Sequence, residues 1–157
     1  MSVIVDVEAD NVRAPLSRAR VKDIAVAVLR AERVRDALIS ITLVSRPHIA
    51  RLNRRHLGHT GPTDVISFAL SDMPGRSGQP VVVGDIYIAP DVARANAARV
   101  GRGVREEIAR LVIHGTLHVL GHDHPDGEDR TASPMWRRQE RLVARLTRRA
   151  ASTGRVA

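Results

Sequence analysis

Hydrophobic and polar residues follow a period of two over several short stretches, and this pattern predicts four strands. Ile39, Ile41 and Leu43 alternate with polar neighbours within residues 38–44, as in a strand with one buried face. The other three strands are predicted over residues 3–7, 64–70 and 81–89. Residues 71–80 are rich in turn-forming types, so the strands on either side of them are expected to pair antiparallel.

Apolar residues at helical spacing predict about five helices, over residues 17–33, 47–55, 90–99, 104–120 and 134–150. Ser133 followed by Pro134 is typical of a helix N-cap and first turn. We therefore predict an α+β fold with α/β-type layers, a small four-stranded mixed sheet packed with about five helices. Residues 1–150 form a single domain, a metal-dependent hydrolase on the evidence below, and residues 151–157 form a frayed tail.

Composition narrows the class of protein. The chain has 157 residues, of which 43% are hydrophobic and 27% charged, as in ordinary globular domains. No apolar run approaches the roughly 20 residues of a membrane helix, and the first residues lack the basic and apolar regions of a signal peptide. We therefore expect a cytoplasmic protein that makes no membrane contact. The absence of cysteine excludes thiolate metal sites.

The chain is strongly basic, with a net charge of +8 at pH 7. Of the 25 basic residues 24 are arginine, whose planar guanidinium suits phosphate, so RNA or DNA is a fitting partner. An arginine bias on solvated helix faces explains the charge equally well. Aromatic residues are only 2% of the chain, which makes a base-stacking sheet surface a poor interpretation.

Residues 114–124 carry the clearest chemical signal, with the sequence HGTLHVLGHDH. His114 and His118 are four residues apart in a helix, so their side chains lie roughly 40° apart on one face. Gly121 suits the left-handed position that ends a helix, and a turn there brings His124 back toward the same ion. Three imidazoles with one open position are the ligand set of catalytic zinc. His122 is interpreted as an exposed residue, with a fourth metal contact or a proton-transfer role as alternatives.

The same spacing occurs in the long zinc-protease motif, with one departure. The glutamate that acts there as general base is replaced by Gly115. Glycine cannot hold or deprotonate water, so the pattern argues against an ordinary metallopeptidase. Asp85 and Asp123 are candidates to accept the second ring N–H of a histidine ligand.

These motifs resemble those of a known family. HGTLHVLGHDH is similar to the His-Gly-x-Leu-His-Leu-x-Gly-Tyr-Asp-His signature of the YbeY family of ribosomal-RNA maturation endoribonucleases. The segment GPTDVISF at 61–68 resembles that family's Pro-Thr-Asp-Val-Leu-Ser-Phe. Further matches, in chain order, are Leu52-Asn53, Gly84-Asp85-Ile86, and Met135 with Gln139 and Glu140.

The resemblance implies a zinc-dependent, single-strand-specific endoribonuclease that binds one Zn²⁺ per chain through His114, His118 and His124. It implies action on ribosomal RNA and ribosomal particles, in 3′-end processing of the small-subunit RNA and in ribosome quality control. Partners among ribosomal proteins or GTPases are not readable from the sequence, and the general acid is unassigned.

Two features depart from the family pattern. His122 stands at the tyrosine of the signature, which leaves the implied metal ligation intact but not a contact specific to tyrosine. His56-Leu57 stands where members usually have Tyr-Arg, so the phosphate contact implied for that arginine is lost or falls to Arg54 or Arg55. These two arginines and His59 lie in the segment where the resemblance expects substrate binding.

Two alternative functions stay open: a zincin-like metallopeptidase, and a non-catalytic ribosome assembly factor with a structural metal.

Overall fold

The computed structural model describes residues 2–70, 73–74 and 80–155. Within these ranges the chain forms five strands and five α-helices. In order they are β1 Val3–Ala9, α1 Arg18–Ala31, β2 Ala37–Leu43, α2 Arg46–Leu52, β3 Val65–Ala69, β4 Met73–Pro74, β5 Pro80–Ile88, α3 Pro90–Val100, α4 Val104–Val119 and α5 Pro134–Arg155. A π-helical turn, Asn53–Leu57, follows α2, and a 3₁₀ turn, Gly127–Ala132, precedes α5.

The strands form one mixed sheet in the order β1-β2-β5-β3, which confirms the predicted fold class. β1, β2 and β5 run parallel, and β3 pairs antiparallel with β5. The antiparallel pairing predicted for the strands on either side of residues 71–80 is therefore confirmed. The two-residue strand β4 pairs with the beginning of β5 and was not predicted, because it is too short to show a periodic pattern.

One face of the sheet carries the main core. Alternation along β2 places Ile39, Ile41 and Leu43 on this face, and all three are buried. Buried apolar residues of α1, α4 and α5 pack in the same cluster. The helical spacing predicted for α1 is confirmed by the burial of its residues Val21, Ile24, Ala25, Val28 and Leu29.

A smaller apolar cluster joins α2 and the beginning of α3 to β3. It contains Val44, Ile49, Ile66 and Val92, with Phe68 and Tyr87 packed partly against it. This contact anchors the segment that carries residues 53–61 beside the end of the sheet.

α4 is the central helix, and residues 107–117 are buried throughout. Two glycines allow it to approach β5 closely. A Cβ on Gly115 would lie 2.8 Å from Cγ2 of Ile86, and one on Gly84 would collide with the side chain of Val119. The prediction of a central buried helix that bears the histidines is thus confirmed, and the sheet sets its depth.

The last helix differs in length from the expectation. α5 continues to Arg155, five residues beyond the predicted end, because nothing in its sequence stops a helix at Ala150. Residues 156–157 of the predicted frayed tail lie outside the described residues, and the single-domain assignment stays a prediction.

The predicted N-cap is present, since Ser133 Oγ accepts a hydrogen bond from the Trp136 N–H at 3.2 Å. None of the described helices combines the length and apolar character needed to cross a membrane.

The close approach at Gly115 yields a stability prediction. Gly115→Ala should lower the free energy of unfolding by about 1–2 kcal/mol, because displacing Ile86 outweighs the gain in helix propensity. Gly103→Ala is the matched control, since a Cβ there meets nothing within 4 Å. Urea unfolding of both variants measures the effect. A Gly115→Ala protein as stable as wild type would show that α4 does not need this contact.

Candidate metal centre

The end of α4 and the turn after it bring the three predicted ligands together. The ring centroids of His114 and His118 are 4.6 Å apart, and His124 lies 5.2 Å and 5.0 Å from them. One ligand nitrogen from each ring lies within 4.8 Å of the other two. Gly121 has φ +99°, the left-handed conformation expected from the sequence, and this turn redirects the chain toward the cluster.

The first and the last of the three histidines are each oriented by a hydrogen bond that the ring Nδ1 donates. His114 Nδ1 donates to Gln139 Oε1 at 2.6 Å, and His124 Nδ1 donates to the carbonyl of Pro125 at 3.1 Å. Both bonds leave Nε2 free to bind a metal. The candidates Asp85 and Asp123 do not take this role, since Asp123 instead accepts the backbone N–H of His124.

Behind His114 lies a buried chain of polar side chains. Gln139 Nε2 donates to Glu140 at 3.0 Å, and Arg110 forms two bonds with the same carboxylate at 2.9 and 3.0 Å. Arg110 also donates to Glu107 at 3.0 Å. Burial alone would raise the pKa of Glu140, but the bonds from Arg110 and Gln139 outweigh it and hold that pKa below its usual value. The chain thus ends in a fixed amide oxygen aimed at the ligand.

Burial and neighbouring charges keep His114 and His118 neutral. Burial, assisted by the charges of His118, Arg130 and His124, lowers the pKa of His114 to about 4. Burial and the charge of His124 lower the pKa of His118 as well. Both imidazoles are therefore available to a metal ion at neutral pH without first losing a proton.

The cluster opens into a cleft of about 580 Å³. Its other walls come from the segment after α2 and from β3, including Asn53, His59, Thr63, Asp64 and Ser67. The cleft gives a metal-bound substrate room beside the three rings.

The predicted substrate residues separate into two groups. His59 lines the cleft, whereas Arg54 and Arg55 are exposed and lie outside its lining. The reason is local, because buried Asn53 donates to the Gly61 carbonyl at 2.9 Å and folds the loop so that residue 59 returns to the rim. Leu57 also lines the cleft, so no cation occupies the position of the family arginine.

His122 departs from its interpretation as an exposed residue. Its Nε2 lies 2.8 Å from Glu32 Oε1, and Arg138 contacts the other oxygen of Glu32 at 3.2 Å. This contact ties the metal-site turn to the end of α1 and to α5. It depends on three distant segments, so no local pattern reveals it.

Sequence reasoning did not assign Gln139 a role, although it lies in the Met135–Glu140 segment that resembles the family. It also passed over Arg130, which the structure brings into the lining of the cleft. The loop around Arg130 is rich in acidic residues, as is typical of a solvated loop, and the proximity of Arg130 to His114 depends on how α5 packs.

The bond between Gln139 and His114 can be tested by zinc titration. Gln139→Leu removes the acceptor and should weaken zinc affinity at least tenfold, about the effect of losing a ligand's outer hydrogen bond. Arg141→Gln, an exposed change on the same helix, is the control. Competition with a colorimetric chelator gives the affinities, and equal values for Gln139→Leu and wild type would contradict the orienting role.

The pKa of His114 predicts how the metal-free protein responds to pH. Above pH 6.5 the ring is neutral in the folded and unfolded states, and the stability is complete. As the pH falls from 6.5 toward about 4, the unfolded state takes up a proton that the folded state does not, so the free energy of unfolding decreases. By pH 5 the expected loss from this group is about 2 kcal/mol.

Urea unfolding in EDTA at pH 7, 6 and 5 measures that loss. His114→Asn removes the titrating group and should show a shallower decline over the same interval. Parallel pH profiles for the two proteins would mean that His114 is not held neutral by the fold.

Comparison with known proteins agrees with this geometry. The family model described as "Endoribonuclease YbeY" matches residues 5–147. Proteins named Endoribonuclease YbeY are 35% identical in Bacillus licheniformis, over 92% of this chain and 96% of theirs, and 38% identical in Desulfitobacterium hafniense, over 85% and 87%. The solution structure of TM1509 from Thermotoga maritima is similar with a TM-score of 0.65 and 25% identity, covering 96% of this chain and 93% of that one. The chain therefore belongs to the YbeY family of endoribonucleases.

Proposed function

We propose that this protein is a zinc-dependent endoribonuclease that cleaves single-stranded ribosomal RNA during maturation of the small subunit and in ribosome quality control. The observation that carries the proposal is the convergence of three imidazoles at the base of an open cleft. Family membership supports RNA as the substrate. Because ribosomes are assembled in the cytoplasm, we also infer that the protein acts there.

The donor set suits zinc. His114, His118 and His124 would hold the ion, and three imidazoles with one further position open match catalytic zinc sites. Zinc bound there supplies Lewis-acid activation of water and neutralises charge on the scissile phosphodiester. The protein supplies the rest: Gln139 and the Pro125 carbonyl orient the rings of His114 and His124, and α4 with the turn after it brings the three rings together.

The peptidase alternative meets a steric obstacle. Gly115 faces β5, where even a Cβ would lie 2.8 Å from Ile86. A glutamate at that position has no room on this backbone, so the general base of the zincin motif is excluded by packing as well as by sequence.

The alternative of a structural metal is not favoured either. Structural zinc sites are closed by four protein ligands, whereas His118 and His124 are partly exposed and the cleft reaches them directly. Within the described residues the group of possible metal ligands contains those three histidines alone.

His118→Ala tests the proposal. The variant should lose most of its zinc and its cleavage of single-stranded RNA should fall by at least about a thousandfold, because one ligand of three is gone. Elemental analysis and an oligonucleotide cleavage assay give the two values, and the circular dichroism spectrum should be unchanged. His48→Ala is the matched control, since that histidine contacts Asp10 at 3.2 Å and lies outside the cleft.

The outcomes separate the three functions. Equal zinc content in the variant and wild type would remove the ligand assignment, and equal RNA cleavage would reveal a contaminating nuclease. Turnover of casein by wild type in place of RNA would support the peptidase. A His118→Ala protein that fails to fold would favour a structural metal.

A further inference from the structure

Carboxylates outnumber arginines and lysines in the lining of the cleft, which is unfavourable for a polyanionic substrate. Three carboxylates face it, from Asp64, Asp123 and Asp126, besides the histidine cluster and His59. Arg130 is the one arginine or lysine among the described lining residues. A phosphodiester that approaches the cluster past these carboxylates therefore meets a permanent positive charge at this position alone.

Arg130 is held in place by two neighbours. Its guanidinium carbon lies 5.4 Å from the centroid of the Trp136 ring, within the range of a cation–π contact. Buried Ser133 Oγ donates to the Arg130 carbonyl at 2.7 Å and accepts the Trp136 N–H at 3.2 Å. Ser133 thus holds the backbone at both Arg130 and Trp136. The contact between these two side chains is therefore built into the turn.

The guanidinium is also near the ligands and available. Its positive charge contributes to lowering the pKa of both His114 and His118. Arg130 and His114 line a smaller adjoining cavity together with Trp136. Within the described residues no carboxylate lies within salt-bridge distance of Arg130, although several acidic residues flank it in the sequence. Its planar fork of donors is therefore free to bind an anion.

We propose that Arg130, stacked on Trp136, binds a phosphodiester of the substrate at the rim of the cleft, beside the three-histidine cluster. This inference rests on the proposed function for the identity of the anion, a single-stranded RNA. Stacking on Trp136 leaves the edge of the guanidinium exposed for bidentate contact with phosphate oxygens. Arg54 and Arg55, outside the cleft, are not needed for this contact.

Binding without cleavage is the direct test. In EDTA, a fluorescently labelled single-stranded oligoribonucleotide should bind Arg130→Gln about five- to tenfold more weakly than wild type at about 0.1 M salt. The plot of log affinity against log salt should become shallower by about 0.7, the value for one lost phosphate contact on a single strand. Arg141→Gln removes an equal charge from an exposed position outside the cleft and should leave both the affinity and the slope close to wild type.

Trp136 supplies a second readout, because it is the only tryptophan of the chain. Oligoribonucleotide should change its fluorescence in wild type and change it much less in Arg130→Gln. Trp136→Leu should weaken binding while keeping the salt slope, since the charge remains, and Trp136→Phe should restore most of the affinity. A general folding defect would not separate affinity from slope in this way.

The results distinguish this inference from the proposed function. If Arg130→Gln binds like wild type at every salt concentration, or if wild type binds no oligoribonucleotide, the role of Arg130 is overturned. The proposed nuclease function is then judged separately, from the zinc content and RNA cleavage of His118→Ala. If wild type binds through Arg130 but cleaves no RNA with any metal, the phosphate site is supported and the nuclease proposal fails.

Discussion

The close approach of α4 to β5 is the constraint on which the metal centre depends. Gly84 and Gly115 remove the side chains that would otherwise separate this helix from the sheet, and the space is filled by Val119 and Ile86. Because α4 lies so deep, its last two turns hold His114 in a buried position while His118 still reaches the cleft. The same packing that stabilises the core therefore sets the depth of these two histidines, and it leaves no room at position 115 for the glutamate of the zinc-protease motif.

Burial on this scale requires that polar groups be paired, and the chain from Arg110 to His114 meets that requirement. Arg110 and Gln139 are almost wholly inaccessible, yet each makes hydrogen bonds with good geometry. An isolated buried charge costs several kcal/mol, so Arg110 and Glu140 stabilise the protein only as a pair. The pair in turn orients Gln139, whose amide oxygen then has one direction in which to accept. The hydrogen bonds that pair the buried charges therefore also orient the ring of His114.

The outer part of the site depends on surface loops and their hydrogen bonds, and not on core packing. The turn after His124 and the loop after α2 belong to the surface, and the hydrogen bonds of Ser133 and Asn53 help to hold them in place. These bonds help to decide which basic residues line the cleft: His59 and Arg130 lie in the lining, whereas Arg54 and Arg55 lie outside it. Net charge says little about this choice, since 24 arginines are available and the lining of the cleft includes one of them.

Local sequence patterns were sufficient to predict the elements with a strong period and the three histidines that local geometry brings together. Alternation in β2, the apolar face of α1 and the cap at Ser133 depend on neighbouring residues, and so do two histidines one helical turn apart and the left-handed Gly121. The folded structure was needed to establish the order of the sheet, the partner of His114, the pairing of His122 with Glu32, and the position of Arg130. Each of these depends on contacts between segments distant in the chain, whose free energies come from packing and desolvation that no local pattern encodes.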